Sequence, residues 1–244
     1  MSALPMWLRP FAEQRGLGPL IDHTLLRPEA TEADVIELCD EAVALGLGTV
    51  CVNGQWVRVA ARRLAGTDVR VAAVVGFPLG ASGAVTKAAE ARLAVMDGAA
   101  ELDVVISLGL AKAGRWDLVR DEFAVVIGAA RRRRVKAILE TVTLTSEEIV
   151  RASEAALEAG AAMVKTSTGF HPRGGATEEA VHLLRKTVGT RAGVKASGGI
   201  RTPEDALRML RAGADRIGTS AAAGWSGVVG SNAPTLAELV GGAK

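Results

Sequence analysis

The chain has 244 residues, enough for one large domain or two small ones, and 49 % of them are hydrophobic, so a sizeable core can be buried. Basic residues number 29 against 27 acidic, and a net charge of +2 leaves no field of one sign to attract nucleic acid or a membrane surface. Aromatics are 3 % and Tyr is absent, so the core must be built from small aliphatic side chains.

In chain order, the opening MSALPMWLRPFAEQRG places Pro5, Arg9 and Pro10 where a signal peptide needs an unbroken apolar run. It predicts a short helical extension over about residues 1–18, lying across the bottom of whatever follows. Short apolar runs then alternate with amphipathic stretches. The runs are LIDHTLL, TVCVN, VRVAAVVGF, ELDVVIS, VKAILET, AMVKTSTGF, GVKASGG and DRIGTSAA, eight in all. Between the first two, Thr31 with Asp34 reads as a capping box that opens a helix, and LGLG at 45–48 ends it. The basic run Arg131 to Arg134 sits where a helix should end, and complementing that helix's dipole is preferred to a polyanion site. Thr145-Ser146-Glu147-Glu148 opens the helix before the sixth run, and Thr202-Pro203-Glu204-Asp205 puts Pro at the first position of a later one. Gly98, Gly160 and Gly213, each followed by Ala, mark one repeated joint between a helix and the next strand. The longest uncharged stretch, 217–237, is rich in Gly, Ser and Asn and contains Pro234, so no membrane span is expected.

Strands apolar on both faces and alternating with helices imply a parallel sheet. Eight such units predict one closed (β/α)8 TIM barrel over residues 1–244, a fold that takes about 250 residues. An open doubly wound sheet is the other arrangement, and its usual GxGxxG after the first strand is missing.

A parallel barrel carries its chemistry at the strands' C-terminal ends. There the chain offers Asp22, Cys51, Asp103, Lys165, Thr168, Lys195 and Ser220. Lys165 in MVKTSTG and Lys195 in GVKASGG have similar contexts on successive strands, and matched registers bring their side chains together. Burial and a like charge both depress an ammonium's pKa, which makes a lysine nucleophilic near neutral pH and suited to a Schiff base. Ion pairing inside the barrel is the structural alternative. Asp103, flanked by apolar residues in ELDVVIS, is the leading acid/base. The Gly-Gly of KASGGIRT before Thr202-Pro203, and RIGTSAAAG after the eighth strand, predict a phosphate site at two helix beginnings. His23, His171 and His182 lie on different units without metal-ligand spacing, so no metal is expected. Cys39 and Cys51 make a poor disulfide framework and fit a reducing cytoplasm; Cys51 reads as a small packing residue near the site rather than a thiol nucleophile.

IDHTLLRPEAT, TVCVN, VVGFPLGA, ELDVVIS, VKTSTGF, VKASGGIRT and RIGTSA, in that order over nearly all of residues 20–222, resemble the deoxyribose-phosphate aldolases. The resemblance implies a cytoplasmic, often dimeric class I aldolase. Its reaction is the reversible cleavage of 2-deoxy-D-ribose 5-phosphate to D-glyceraldehyde 3-phosphate and acetaldehyde, without metal or other cofactor. It makes Lys165 the imine-forming residue, Lys195 its tuning neighbour, Asp103 the proton donor and acceptor working with a water, and Asp22 a supporting carboxylate. Gly169, Gly198, Gly199 and Ser220 match phosphate-binding positions. Ser107 departs from the Asn of several members, VCVNGQW departs from VCVNP, and the C-terminal Tyr of some members is missing from a chain that ends LVGGAK. Another Schiff-base barrel enzyme acting on a phosphorylated sugar, and a sugar-phosphate binding barrel without turnover, are the other readings. Asp103 with paired Lys165 and Lys195 on adjacent strands argues for the aldolase.

Overall fold

The computed structural model describes residues 4–241. Its strands are β1 (Ile21–Leu25), β2 (Thr49–Val52), β3 (Arg70–Val75), β4 (Glu101–Val105), β5 (Arg134–Ile138), β6 (Met163–Lys165), β7 (Gly193–Ser197) and β8 (Arg216–Thr219). Each pairs in parallel with its sequence neighbours, and β8 closes on β1. The helices are α1 (Glu32–Ala44), α2 (Val57–Arg63), α3 (Ala84–Met96), α4 (Leu108–Lys112), α5 (Trp116–Ala129), α6 (Ser146–Glu158), α7 (Glu178–Val188), α8 (Pro203–Ala212) and α9 (Leu236–Gly241). This is the expected (β/α)8 barrel rather than an open sheet.

The local signals that specify it are present as side-chain contacts. Thr31, Thr145 and Thr202 each accept a hydrogen bond from the third helical residue, whose carboxylate returns to the cap, so α1, α6 and α8 all begin with a capping box. Gly98, Gly160 and Gly213 follow α3, α6 and α8 with φ of 112°, 99° and 136°, a region that a side chain disfavours. The N-terminal extension, of which residues 1–3 lie outside the described residues, forms a 3-10 turn over Met6–Phe11. Trp7 Nε1 donates to the Leu210 carbonyl at 3.0 Å and so ties the turn to the end of α8.

Two expectations change. Helix α5 stops at Ala129 with no basic residue in its last turn, while Arg131 and Arg132 form a positive-φ turn and Arg134 already begins β5. The arginine run therefore does not complement the helix dipole. After β8 comes only a three-residue 3-10 turn, Ala222–Gly224, and α9 arrives a dozen residues later, so the eighth unit offers no regular helix beginning at its mouth.

The aliphatic core occupies the layer between sheet and helices: Val50, Val104, Ala137, Val164, Val194 and Ile217 pack outward from their strands against buried residues such as Val126, Leu184 and Leu210. The lumen is different. Registers Asp22↔Thr49, Asp103↔Lys136, Lys165↔Lys195 and Lys195↔Arg216 place charged residues on the inward face of six strands. No described helix is long and apolar enough to cross a membrane.

Candidate active site

Strand alternation decides what faces the lumen. In β6, Val164 points to the helices and Lys165 inward; in β7, Val194 and Ala196 point outward and Lys195 inward. The equivalent registers turn Asp103 of β4 and Asp22 of β1 inward, and all four side chains are buried. They form one network. Asp103 accepts from Lys165 Nζ at 2.8 Å and from Lys195 Nζ at 2.7 Å, both on Oδ2, while Lys195 also donates to Asp22.

Sequence reasoning missed the centre of that network. Lys136, on β5 level with Asp103, donates to Asp22 at 3.0 Å and to Asp103 at 2.9 Å, and lies 2.6 Å from Glu101. Arg216 of β8 stands below, 3.1 Å from both Asp22 and Glu101. The signal for Lys136 is its parity in VKAILET, the same lysine-between-apolar pattern as Lys165.

Charge environments separate the three lysines. Burial works against the ammonium at every one. At Lys136, Asp103, Asp22 and Glu101 overcome burial and hold the pKa far above the ordinary lysine value; at Lys195, Asp103 and Asp22 also win and raise it. At Lys165 burial prevails: Asp103 and, to a smaller extent, Cys51 oppose it, Lys195 adds to the depression, and the pKa falls below the ordinary value. Burial disfavours the Asp103 and Asp22 carboxylates too, but the surrounding cations, Lys136 foremost, keep both well below the usual carboxylate range. The Cys51 thiol, inward on β2, is pushed up by burial and then by Asp103. It packs with Leu26, Ala72 and Val74 as a small apolar patch.

Lys165 opens into a cleft of about 410 Å³ at the strands' C-terminal ends, which Thr168, Gly169, Gly198, Gly199 and Ser220 also line. Gly169, Gly198 and Gly199 have φ of 84°, 87° and 79°. Among the described residues, the N–H groups of these three glycines and of Ser220 find no protein acceptor. The beginning of α8 supplies fewer such donors than expected: Pro203 has no N–H, and the N–H groups of Arg201 and Thr202 are taken by the Asp205 carboxylate at 3.0 and 3.1 Å. The cleft's capacity for an anion therefore rests on glycine-shaped backbone more than on a helix end. Arg27 and Arg201, which the sequence did not single out, stand in the same wall.

The floor of the cleft is stitched by hydroxyls. Ser197 Oγ donates to the Ser167 carbonyl at 2.6 Å, and Thr166 Oγ1 donates to the Ser197 carbonyl at 3.0 Å. Thr168 donates through its hydroxyl to buried Glu140, a residue held at φ 53° at the end of β5. Phe170 meets Phe77 edge-on with ring centroids 5.1 Å apart. Ser107 caps the short α4 without a side-chain bond. His23 turns away from the lumen to Glu41 at 2.7 Å, and His182 lies exposed on α7. Among the described residues no group of three His, Cys, Asp or Glu is placed to hold a metal ion.

Such an arrangement can form an imine on Lys165, hold an anion elsewhere in the same cleft, and move protons through a carboxylate shared by lysines. Comparisons with known proteins agree in kind. Residues 19–231 match the model of the DeoC/LacD family aldolases. A deoxyribose-phosphate aldolase of Geobacillus sp. (strain WCH70) is 53 % identical over 208 residues, covering 85 % of this chain and 93 % of that protein. Deoxyribose-phosphate aldolase 1 of Cutibacterium acnes (strain DSM 16379 / KPA171202) is 54 % identical over 205 residues, covering 84 % and 94 %. Among solved structures, the deoxyribose phosphate aldolase from Aeropyrum pernix, described as a unique tetramer, superposes with a TM-score of 0.79 at 36 % identity, covering 84 % of this chain and 87 % of its own.

Proposed function

The chain belongs to the DeoC/LacD family of aldolases, and from that premise we propose that Lys165 is the Schiff-base residue with which it cleaves 2-deoxy-D-ribose 5-phosphate. It is a lyase, a class I deoxyribose-phosphate aldolase. The observation that carries the site assignment is the position of Lys165. It is the lumen lysine with a depressed pKa, and it opens into the cleft that the bare N–H groups of Gly169, Gly198, Gly199 and Ser220 line.

The neutral amine of Lys165 adds to the substrate's C1 aldehyde and water leaves, giving a protonated imine. The C3 hydroxyl then gives its proton, through water, to Asp103. The C2–C3 bond breaks, and its electron pair flows into the C1–C2 enamine while C3 departs as the aldehyde of D-glyceraldehyde 3-phosphate. The enamine takes a proton back at C2, and hydrolysis frees acetaldehyde and Lys165. Asp103 is suited to this exchange because its oxygens already touch Lys165 and Lys195. Lys195 remains charged and keeps its neighbour from protonating; Asp22 holds Lys195 in place. The glycine N–H groups and Ser220 receive the phosphate, Thr168 shapes the loop that presents Gly169, and Cys51 fills the inner wall. With no Tyr in the chain, proton transfer rests on Asp103, a lysine and water.

The covalent chemistry assigned here is complete without metal or other cofactor. We place the enzyme in the cytoplasm, in keeping with two buried free cysteines, as a single barrel domain with its N-terminal extension beneath. We read it as a homodimer or larger assembly, as the tetrameric relative suggests. Borohydride reduction in the presence of acetaldehyde, followed by peptide mass spectrometry, should label Lys165 alone. Lys165→Leu should retain the fold and lose both label and cleavage. A label on another lysine, or none on an active preparation, refutes the assignment.

A further inference from the structure

A second cavity, about 400 Å³ and so as large as the catalytic cleft, lies at the opposite mouth of the barrel beneath the N-terminal turn. The first residues of β3, β5 and β8 bring Arg70, Arg134 and Arg216 into its wall, and Arg185 of α7 joins them; Asp215 is the single acidic residue among those lining it. Trp7 supplies an apolar side and carries the Arg185 guanidinium 5.8 Å from its ring centre.

Counting ion pairs shows which of these cations have work inside the protein. Arg185 is matched by Asp215 at 2.6 Å. Arg216 contacts Asp22 and Glu101, and with Lys136, Lys165 and Lys195 it gives four basic side chains for the three carboxylates Asp22, Glu101 and Asp103. The lumen's acids are matched without Arg70 and Arg134. Arg70 reaches Glu101 only at 3.7 Å, a carboxylate already held by Lys136 and Arg216. Arg134 has no carboxylate within salt-bridge distance among the described residues. Registers Thr49↔Arg70 and Glu101↔Arg134 place both on inward-facing rows, either side of β4. Behind them stands Arg216, whose Nε lies 3.1 Å from Asp22 and whose Nη2 reaches Glu101 at 3.1 Å.

We propose that this lower mouth binds a small molecule bearing two or more phosphate-type negative charges, gripped between Arg70 and Arg134 with Arg216 at its back. Guanidinium forks suit such an anion because each can give two parallel hydrogen bonds to it. The site is separate from the catalytic cleft and does not depend on the reaction assigned there. It also gives the arginine run at 131–134, which the helix dipole does not use, a reason to deliver its last member to the barrel floor.

The test is calorimetric titration of the full chain with inorganic pyrophosphate. Because the upper cleft also offers donors to phosphate, the titration is repeated in Ser220→Glu, whose carboxylate repels anions from that cleft. Ser220→Glu should still bind one pyrophosphate, and adding Arg70→Ala and Arg134→Ala should weaken that binding about tenfold or more. Arg134→Ala alone, which breaks no ion pair, should show a smaller loss and an unchanged unfolding midpoint, so a folding failure of the multiple variant does not cloud the result. Displacement of the bound pyrophosphate by ADP assigns the site to a diphosphate carried on an organic group, and lack of displacement assigns it to free polyphosphate. No binding in Ser220→Glu, or binding that ignores both arginine substitutions, overturns the proposal.

Discussion

Lys136, Lys195 and Lys165 share one lumen, and the number of carboxylates each touches separates them: three, two and one respectively. Burial alone depresses an ammonium's pKa, so the lysine with fewest acids is the one left nucleophilic. This ordering makes a signed prediction. The proposed mechanism requires the amine form of Lys165, so the rate should rise with pH as that group loses its proton, at a pKa below the ordinary lysine value. Lys195→Leu removes a positive neighbour and frees Asp103 to attract the Lys165 proton more strongly, and both effects raise the pKa. The ascending limb of kcat/KM against pH should move to higher pH, with activity at neutral pH reduced. Lys195→Arg, keeping the charge, should move it much less; superimposable profiles for Leu and wild type would show that the lysines are not coupled. Lys136→Met tests the other end of the series. It strands three buried carboxylates short of a cation, and removing one partner of a buried ion pair costs about 3–5 kcal/mol, readable as a lower urea midpoint. Lys165, Lys195, Asp103 and Asp22 were visible in the sequence because a charge inside an apolar strand stands out. Lys136 stood out no less by that criterion, but only the stagger of the closed barrel brings the early part of β5 level with Asp103.

At the scale of elements, the loop between β7 and α8 does two jobs that substitutions can separate. A Cβ on Gly198 would lie 3.0 Å from the Gly175 Cα and 3.2 Å from the Gly169 Cα, so that glycine is needed for backbone packing. A Cβ on Gly199 would meet nothing within 4 Å, yet its φ of 79° still burdens any side chain by roughly 1–2 kcal/mol. Gly199→Ala should therefore fold with modest loss and raise KM for deoxyribose 5-phosphate far more than for unphosphorylated deoxyribose. Equal effects on the two substrates would remove Gly199 from the phosphate site. Thr202→Ala should behave oppositely: loss of the α8 cap costs about 1 kcal/mol in urea unfolding, with little change in the preference for the phosphorylated substrate. Helix starts were legible to the residue because capping chemistry is local, and Thr31, Thr145 and Thr202 use it. The cleft-lining glycines were legible from their spacing, but how their N–H groups come to be free was not. Asp205 ties up two of the N–H groups that the start of α8 was expected to offer, a contact no spacing rule reports.

The whole molecule divides its core between an aliphatic layer outside the sheet and a balanced ionic lumen inside it. Composition revealed the first layer; the second depends on which face of each strand turns inward, and closure of the barrel decides that. The division sets how stability follows pH. Asp22, Asp103 and Glu101 have folded pKa values below their ordinary ones, so their contribution is complete above the unfolded carboxylate range near about pH 4. It is lost as pH falls through the lower folded values. Lys136 and Lys195 have folded pKa values above the ordinary one, so theirs is complete below about pH 10.4 and lost as pH rises through the folded values. Between these limits those five groups contribute a constant amount, while Lys165, whose folded pKa lies below the ordinary value, makes stability rise with pH between its folded value and about 10.4. Urea midpoints measured across pH should show a broad plateau that tilts upward on its alkaline side, with a steep acid shoulder. Because the ion pairs are buried, raising salt should move neither the plateau nor the shoulder by much, since screening acts mainly on exposed charges. A midpoint that peaks sharply within the plateau, or collapses with salt at neutral pH, would mean that surface pairs such as Arg63 with Asp40 carry the electrostatic stability instead.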